Sequence, residues 1–148
     1  PAHYLADTPD GAWAEFLRHE EIDDPADLAG VRRHLWAIEA PSGERWELPT
    51  LAAETMRGGV ETYAECRAEA RSLRARGASA LEAPSAALVD GSARGQHVHG
   101  GLAEAEDRSG RVLVLFGRRP DLRGWLCAEG RPSERVVALA RPLAPARQ

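Results

Sequence analysis

No apolar run in this chain is longer than a β-strand. Val112–Phe116 and Val136–Ala140 are among the longest, and both fall far short of the ~20 apolar residues that cross a bilayer. The chain is expected to bury its hydrophobic side chains by packing several short elements together, with no membrane as partner. A length of 148 residues suits one domain with one real core. Hydrophobic residues at 43% and charged residues at 28% are an ordinary globular balance. Pro1-Ala2-His3-Tyr4 has neither a basic cap nor an apolar stretch. It does not read as a secretory signal, and a cytoplasmic protein is expected.

Cys66 and Cys127 lie far apart, in no Cys-x-x-Cys or Cys-x-x-His spacing. They read as two reduced thiols, the first on a helix. A net charge of −4 argues against direct binding to nucleic acid, whose phosphates reward a basic face. All 19 basic residues are arginine, which removes lysine from every catalytic scheme.

His3–Ala6 reads as a short strand with Tyr4 and Ala6 on one face and Leu5 on the other. Thr8-Pro9 opens a helix, Thr as N-cap and Pro at the first helical position. Ala12, Trp13, Phe16 and Leu17 form its apolar stripe, and fraying is expected around His19–Ile22. Arg33–Ala40 alternates like a strand, Pro41-Ser42-Gly43 turns the chain, and Arg45–Leu48 is its expected partner. Leu51–Met56 suggests a short helix. Val60–Arg76 is the clearest long one, with Val60, Tyr63, Ala64, Ala70 and Leu73 on one side and a stop at Gly77. A strand is expected over Ala78–Ala83, a loop over Val89–Gly110, and a buried strand over Arg111–Phe116. Another loop should follow over Gly117–Pro132, holding a short strand near Trp125–Cys127. A last strand over Arg135–Ala140 and a tail over Pro142–Gln148 complete the reading. Trp13, Trp36, Trp46 and Trp125 are expected mostly in the core, with one available to wall a pocket.

Two residues stand out chemically. Glu15 sits mid-helix beside Trp13 and Phe16, where desolvation sharpens the electrostatics of a carboxylate; the competing reading puts it on the solvated face. Ser85 follows a strand directly in Pro84-Ser85-Ala86, its approach fixed by proline; the competing reading is a turn serine capping local amides. No Gly-x-Ser-x-Gly elbow surrounds it, which argues against a Ser–His–Asp hydrolase. His97-Val98-His99 has two imidazoles at strand spacing but no third ligand, so no metal is expected. His19, one turn after Glu15, can share its face. The Gly58-Gly59 and Gly100-Gly101 pairs lack a phosphate-loop context and read as turns.

Tyr4-Leu5-Ala6, Ala12-Trp13-Ala14-Glu15, a helix carrying Tyr63 and ending at Gly77, and Ala83-Pro84-Ser85-Ala86, in that order, resemble the RES-domain family. That family looks like the toxin half of bacterial toxin–antitoxin pairs and is named for an Arg, a Glu and a Ser. The resemblance runs from Tyr4 to at least Ala86, and more loosely to Pro142. It implies a mixed α/β (α+β) fold similar to ADP-ribosyltransferases, with small twisted mixed sheets and flanking helices, as a single RES-like domain over residues 1–148. It also implies an activity on NAD as substrate, either cleavage of the nicotinamide–ribose bond or transfer of ADP-ribose to a protein. Glu15 would then stabilise the oxocarbenium-like state, Tyr4 would stack on nicotinamide or bond the ribose, and Ser85 would anchor the amide or the acceptor. The implied partner is a cognate Xre-type antitoxin, in a homo- or hetero-oligomer. The family's first Arg precedes the Tyr-x-Ala strand and has no counterpart in this sequence. Arg18 is the nearest candidate to clamp the pyrophosphate, against the ordinary expectation of a surface arginine, and a degenerate, non-catalytic member is the alternative.

Overall fold

In the computed structural model, which describes residues 1–98 and 100–143, the first half of the chain runs β1 (Ala2–Ala6), α1 (Pro9–His19), β2 (Arg33–Glu39), β3 (Trp46–Glu47), α2 (Ala53–Arg57) and α3 (Tyr63–Ala75). The second half runs β4 (Ala80–Pro84), β5 (Gln96–Val98), β6 (Leu102–Glu104), β7 (Arg111–Phe116), β8 (Arg123–Gly130) and α4 (Glu134–Leu139). The architecture is mixed α+β, with three small sheets and flanking helices among the described residues. Among the described residues, no helix is long and apolar enough to cross a membrane.

The apolar run of β7 forms the middle of the main sheet, in the order β1-β7-β4-β3. Both of its neighbours are antiparallel, and Tyr4, Val114 and Leu81 fall in one cross-strand row. Because side chains alternate along a strand, Val112, Val114 and Phe116 share a face with Leu81 and Ala83 of β4. Helix α3 covers that face, and Leu73, Leu81 and Val114 form a small buried cluster beneath it. A second, larger cluster gathers Ala14 and Leu17 of α1, Leu28, Leu88 and the α4 valines Val136 and Val137.

Local signals set the helix ends. Thr8 is extended, and its hydroxyl accepts the Gly11 amide at 3.1 Å to cap α1. Helix α3 ends where Gly77 adopts a φ of +93°. There the Gly77 amide donates to the Arg74 carbonyl and the Ala78 amide to that of Leu73, closing the last turn.

Several expectations are corrected. Arg45–Leu48 does not pair with Arg33–Ala40. Instead β2 pairs along its whole length with β8, while β3 joins the main sheet parallel to β4. The Pro41–Gly43 turn redirects the chain rather than folding it back, and the longer β8 offers β2 a full ladder. The Gly117–Pro132 loop therefore contains an eight-residue strand. The Val89–Gly110 segment holds the β5–β6 hairpin. Arg135–Ala140 is helical over Glu134–Leu139, because adjacent Val136 and Val137 are both buried in the larger cluster; a strand would turn one of them away. Trp36 and Trp125, expected mostly in the core, lie on the β2–β8 ribbon and are each 55% exposed. Val60–Thr62 is a 3₁₀ turn leading into α3, and of the expected stripe only Ala70 and Leu73 pack into the cluster. His99 and the His97 side chain lie outside the described residues. Cys66 and Cys127 are free thiols.

Asp7 ties the β1–α1 turn to β7. Its nearly buried carboxylate accepts the Arg111 amide at 3.0 Å and the Arg111 Nε at 3.1 Å, and pairs with Arg108. Burial alone would raise this carboxyl; the Arg111 amide and the two guanidinium groups outweigh it and hold the group below its usual range. Its stabilisation is thus complete above the ordinary aspartate range and is lost as pH falls through the lowered value. Asp7→Ala should cost about 2 kcal/mol at neutral pH by urea denaturation. The variant and the parent should converge in strong acid; an equal gap at both pH values would refute this account.

Candidate active site

An apolar cleft of about 300 Å³ opens between the main sheet and α3. Leu81, Ala83, Val112 and Val114 form its floor. Tyr63, Cys66, Arg67 and Ala70 form its wall, one helix face at i, i+3, i+4 and i+7. Small side chains at Ala70, Ala83 and Ala86 leave the volume that larger residues would fill. Tyr4 stands at the rim, 75% exposed, and Glu15 and Arg18 of α1 line the same cleft.

Helix α1 brings Glu15 here because Ala14 and Leu17 face the larger cluster and leave Glu15 on the flank. Glu15 is therefore half-buried, not on the solvated face. Its Oε1 accepts the Ser85 hydroxyl at 3.0 Å, and its carboxylate also accepts the Ala87 amide. Desolvation holds the carboxyl above its ordinary value of 4.5, opposed by the Ser85 and Ala87 bonds and by the charge of Arg18.

Ser85 is 3% exposed and does not line the cleft, although Pro84 and Ala86 do. Its hydroxyl donates to Glu15 and accepts the Leu88 amide at 3.1 Å, while its own amide donates to the Gly110 carbonyl at 2.9 Å. Both readings of the sequence meet here: Ser85 caps a local amide and, with the same oxygen, fixes the carboxylate. Its link to the cleft is the Glu15 carboxylate that it holds.

Arg18, expected at the surface unless it clamps a phosphate, is 7% exposed. Its guanidinium donates to the carbonyls of Ala86, Gly58 and Pro142. Tyr63 lines the cleft with the Arg67 guanidinium 5.8 Å from its ring centroid, a cation–π arrangement. Arg67 was not singled out from the sequence; the Tyr63-to-Ala70 helical spacing was the signal that could have found it. His19 also lines the cleft, exposed at the end of α1. None of the four tryptophans does. Among the described residues no group of three potential metal ligands gathers anywhere.

The arrangement is a desolvated carboxylate, aimed by a buried hydroxyl and a backbone amide, in an apolar cleft with two tyrosines. It suits stabilisation of positive charge developing on a bound organic molecule. No family model matches this chain, and neither a curated protein nor a solved structure matches it.

The raised Glu15 carboxyl makes its ionisation unfavourable to folding, so stability falls as pH rises from 4.5 through the raised value. Ser85→Ala removes a donor to the charged form. It should move the Glu15 midpoint further up in a carboxyl-carbon NMR titration, and cost about 1–2 kcal/mol by leaving the Leu88 amide unpaired. An unchanged midpoint would separate Ser85 from Glu15.

Proposed function

We propose that this chain is a RES-type toxin domain of ADP-ribosyltransferase-like fold that cleaves NAD at the nicotinamide–ribose bond. The observation that carries the reading is Glu15, held by Ser85 at 3.0 Å inside an apolar cleft. The order of the Tyr-x-Ala, Ala-x-x-Glu and Pro-Ser-Ala elements supports it, as does the convergence of Tyr4 and Glu15 on one cleft.

In this reaction the bond between the ribose C1′ and the pyridinium nitrogen breaks, and its electron pair stays on nitrogen, so neutral nicotinamide leaves. Positive charge passes to C1′ and the ring oxygen, where the Glu15 carboxylate faces it in a low-dielectric site. Water adds at C1′ and gives up a proton, which Glu15 can accept because burial raises its affinity for protons. The products are ADP-ribose, nicotinamide and one proton. Tyr4 and Tyr63 offer π-faces to the cationic nicotinamide ring. Arg67, beside Tyr63, offers a cation to the diphosphate. No metal takes part, and a cognate Xre-type antitoxin is the expected protein partner.

Incubation with NAD should release nicotinamide, quantified by chromatography. Glu15→Ala should lower the rate by about 10²–10³-fold while circular dichroism and the denaturant midpoint report an intact fold. Equal turnover in the variant would sink the assignment. Radiolabel from NAD on an acceptor protein would instead identify a protein-directed ADP-ribosyltransferase using the same site. No turnover, together with no thermal shift in millimolar NAD, would identify a non-catalytic domain.

A further inference from the structure

Arg18 occupies an unusual position for an arginine in this chain. It is buried, and its contacts are backbone carbonyls rather than a carboxylate. Nη1 donates to the Ala86 carbonyl at 2.8 Å and the Pro142 carbonyl at 3.3 Å, and Nη2 donates to the Gly58 carbonyl at 2.6 Å. These carbonyls belong to three segments remote in sequence: the exit of β4, the turn after α2, and the stretch after α4. Gly58 and Ala86 themselves line the cleft, and the next amide after Ala86 donates to Glu15. The fit at the turn is close, since a Cβ on Gly59 would stand 2.9 Å from the Leu143 carbonyl oxygen.

We propose that Arg18 is a positioning residue, a planar clamp that holds the Gly58 turn, the Ala86 loop and the Pro142 segment in register with Glu15. Only a guanidinium can serve three carbonyls from one rigid plane; a lysine ammonium is a point charge on a flexible stem. Arg18 also supplies positive charge that favours the ionised Glu15, from one turn along the same helix. The carboxylate of Glu61, beyond the Gly58-Gly59 turn, senses that charge as well. Removing the plane should loosen the cleft wall, and removing the charge should change the ionisation of Glu15. The role in turnover rests on the NAD-cleaving reading; the clamp itself does not.

Arg18→Lys keeps the charge and loses the plane, whereas Arg18→Met loses both. Hydrogen exchange at the Gly59 and Ala87 amides should be about tenfold or more faster in both variants, with the β1–β7 ladder unchanged. The Glu15 midpoint, read by carboxyl-carbon NMR, should rise in Arg18→Met and stay at the parent value in Arg18→Lys. In NAD turnover Arg18→Lys should lower kcat by about tenfold with little change in KM. Exchange at parental rates in Arg18→Lys would overturn the clamp even if Arg18→Met fails to fold. A Glu15 midpoint unmoved in a folded Arg18→Met would overturn the charge role. If the parent protein releases no nicotinamide, the NAD reading falls, and exchange and titration still decide whether Arg18 holds the cleft.

Discussion

The hydrogen bond from Ser85 to Glu15 joins the two halves of this molecule. Glu15 belongs to α1, whose buried side packs on α4, and Ser85 stands at the exit of β4, next to the central strand of the sheet. A buried hydroxyl with one partner missing would carry a desolvation cost of about 1–3 kcal/mol. Here donor and acceptor roles are both filled, by Glu15 and the Leu88 amide. The carboxylate is only partly relieved: it keeps a raised proton affinity because desolvation exceeds what its two hydrogen bonds and Arg18 return. The carboxylate is thus fixed in direction while its proton affinity stays above the ordinary value.

The cleft exists because the chain builds two apolar clusters rather than one. The larger, between α1, α4 and the segment after β4, makes a firm base for Glu15. The smaller lies between α3 and the sheet and is lined in large part by alanine. Ala70, Ala83 and Ala86 cannot fill the space between helix and sheet, so the seam stays open where α1 meets it. Good packing on one side and short side chains on the other thus produce an apolar volume with one carboxylate aimed by buried partners.

Much of the site was legible in sequence because its determinants are local. Thr8-Pro9 starts α1, alternation places Tyr4 on one face of β1, Gly77 ends α3, and proline leads directly into Ser85. What was hidden depends on partners distant in the chain. Whether Glu15 lay in or out turned on Ala87 and Ser85 meeting it, and no periodicity within α1 encodes that. The pairing of β2 with β8 likewise joins strands far apart in the chain, and the nearer Arg45–Leu48 segment looked like the simpler partner. The valines of Arg135–Ala140 read as β-formers by propensity. Burial of two adjacent side chains in one cluster, a demand no single-segment preference contains, made them helical.

An all-arginine set of cations shapes how this fold is held. A guanidinium is planar, permanently charged and rich in donors, so it can bridge groups that a lysine would contact singly. Arg108 and Arg111 converge on Asp7 in the turn between Tyr4 and Glu15. Arg119 joins Glu44 at 2.6 Å and Asp121 at 2.8 Å, beside the Ser79 hydroxyl that also donates to Glu44. Arg18 does the same for bare carbonyls behind the cleft. Asp7, just before α1, and Arg18, near its end, tie the helix that carries Glu15 to distant segments of the chain. At the rim Tyr4 is open to solvent, and the Arg67 guanidinium lies over the Tyr63 ring. On the proposed reading, a carboxylate held by buried partners behind an exposed aromatic edge suits a site that grips a flexible molecule and then acts on one of its bonds.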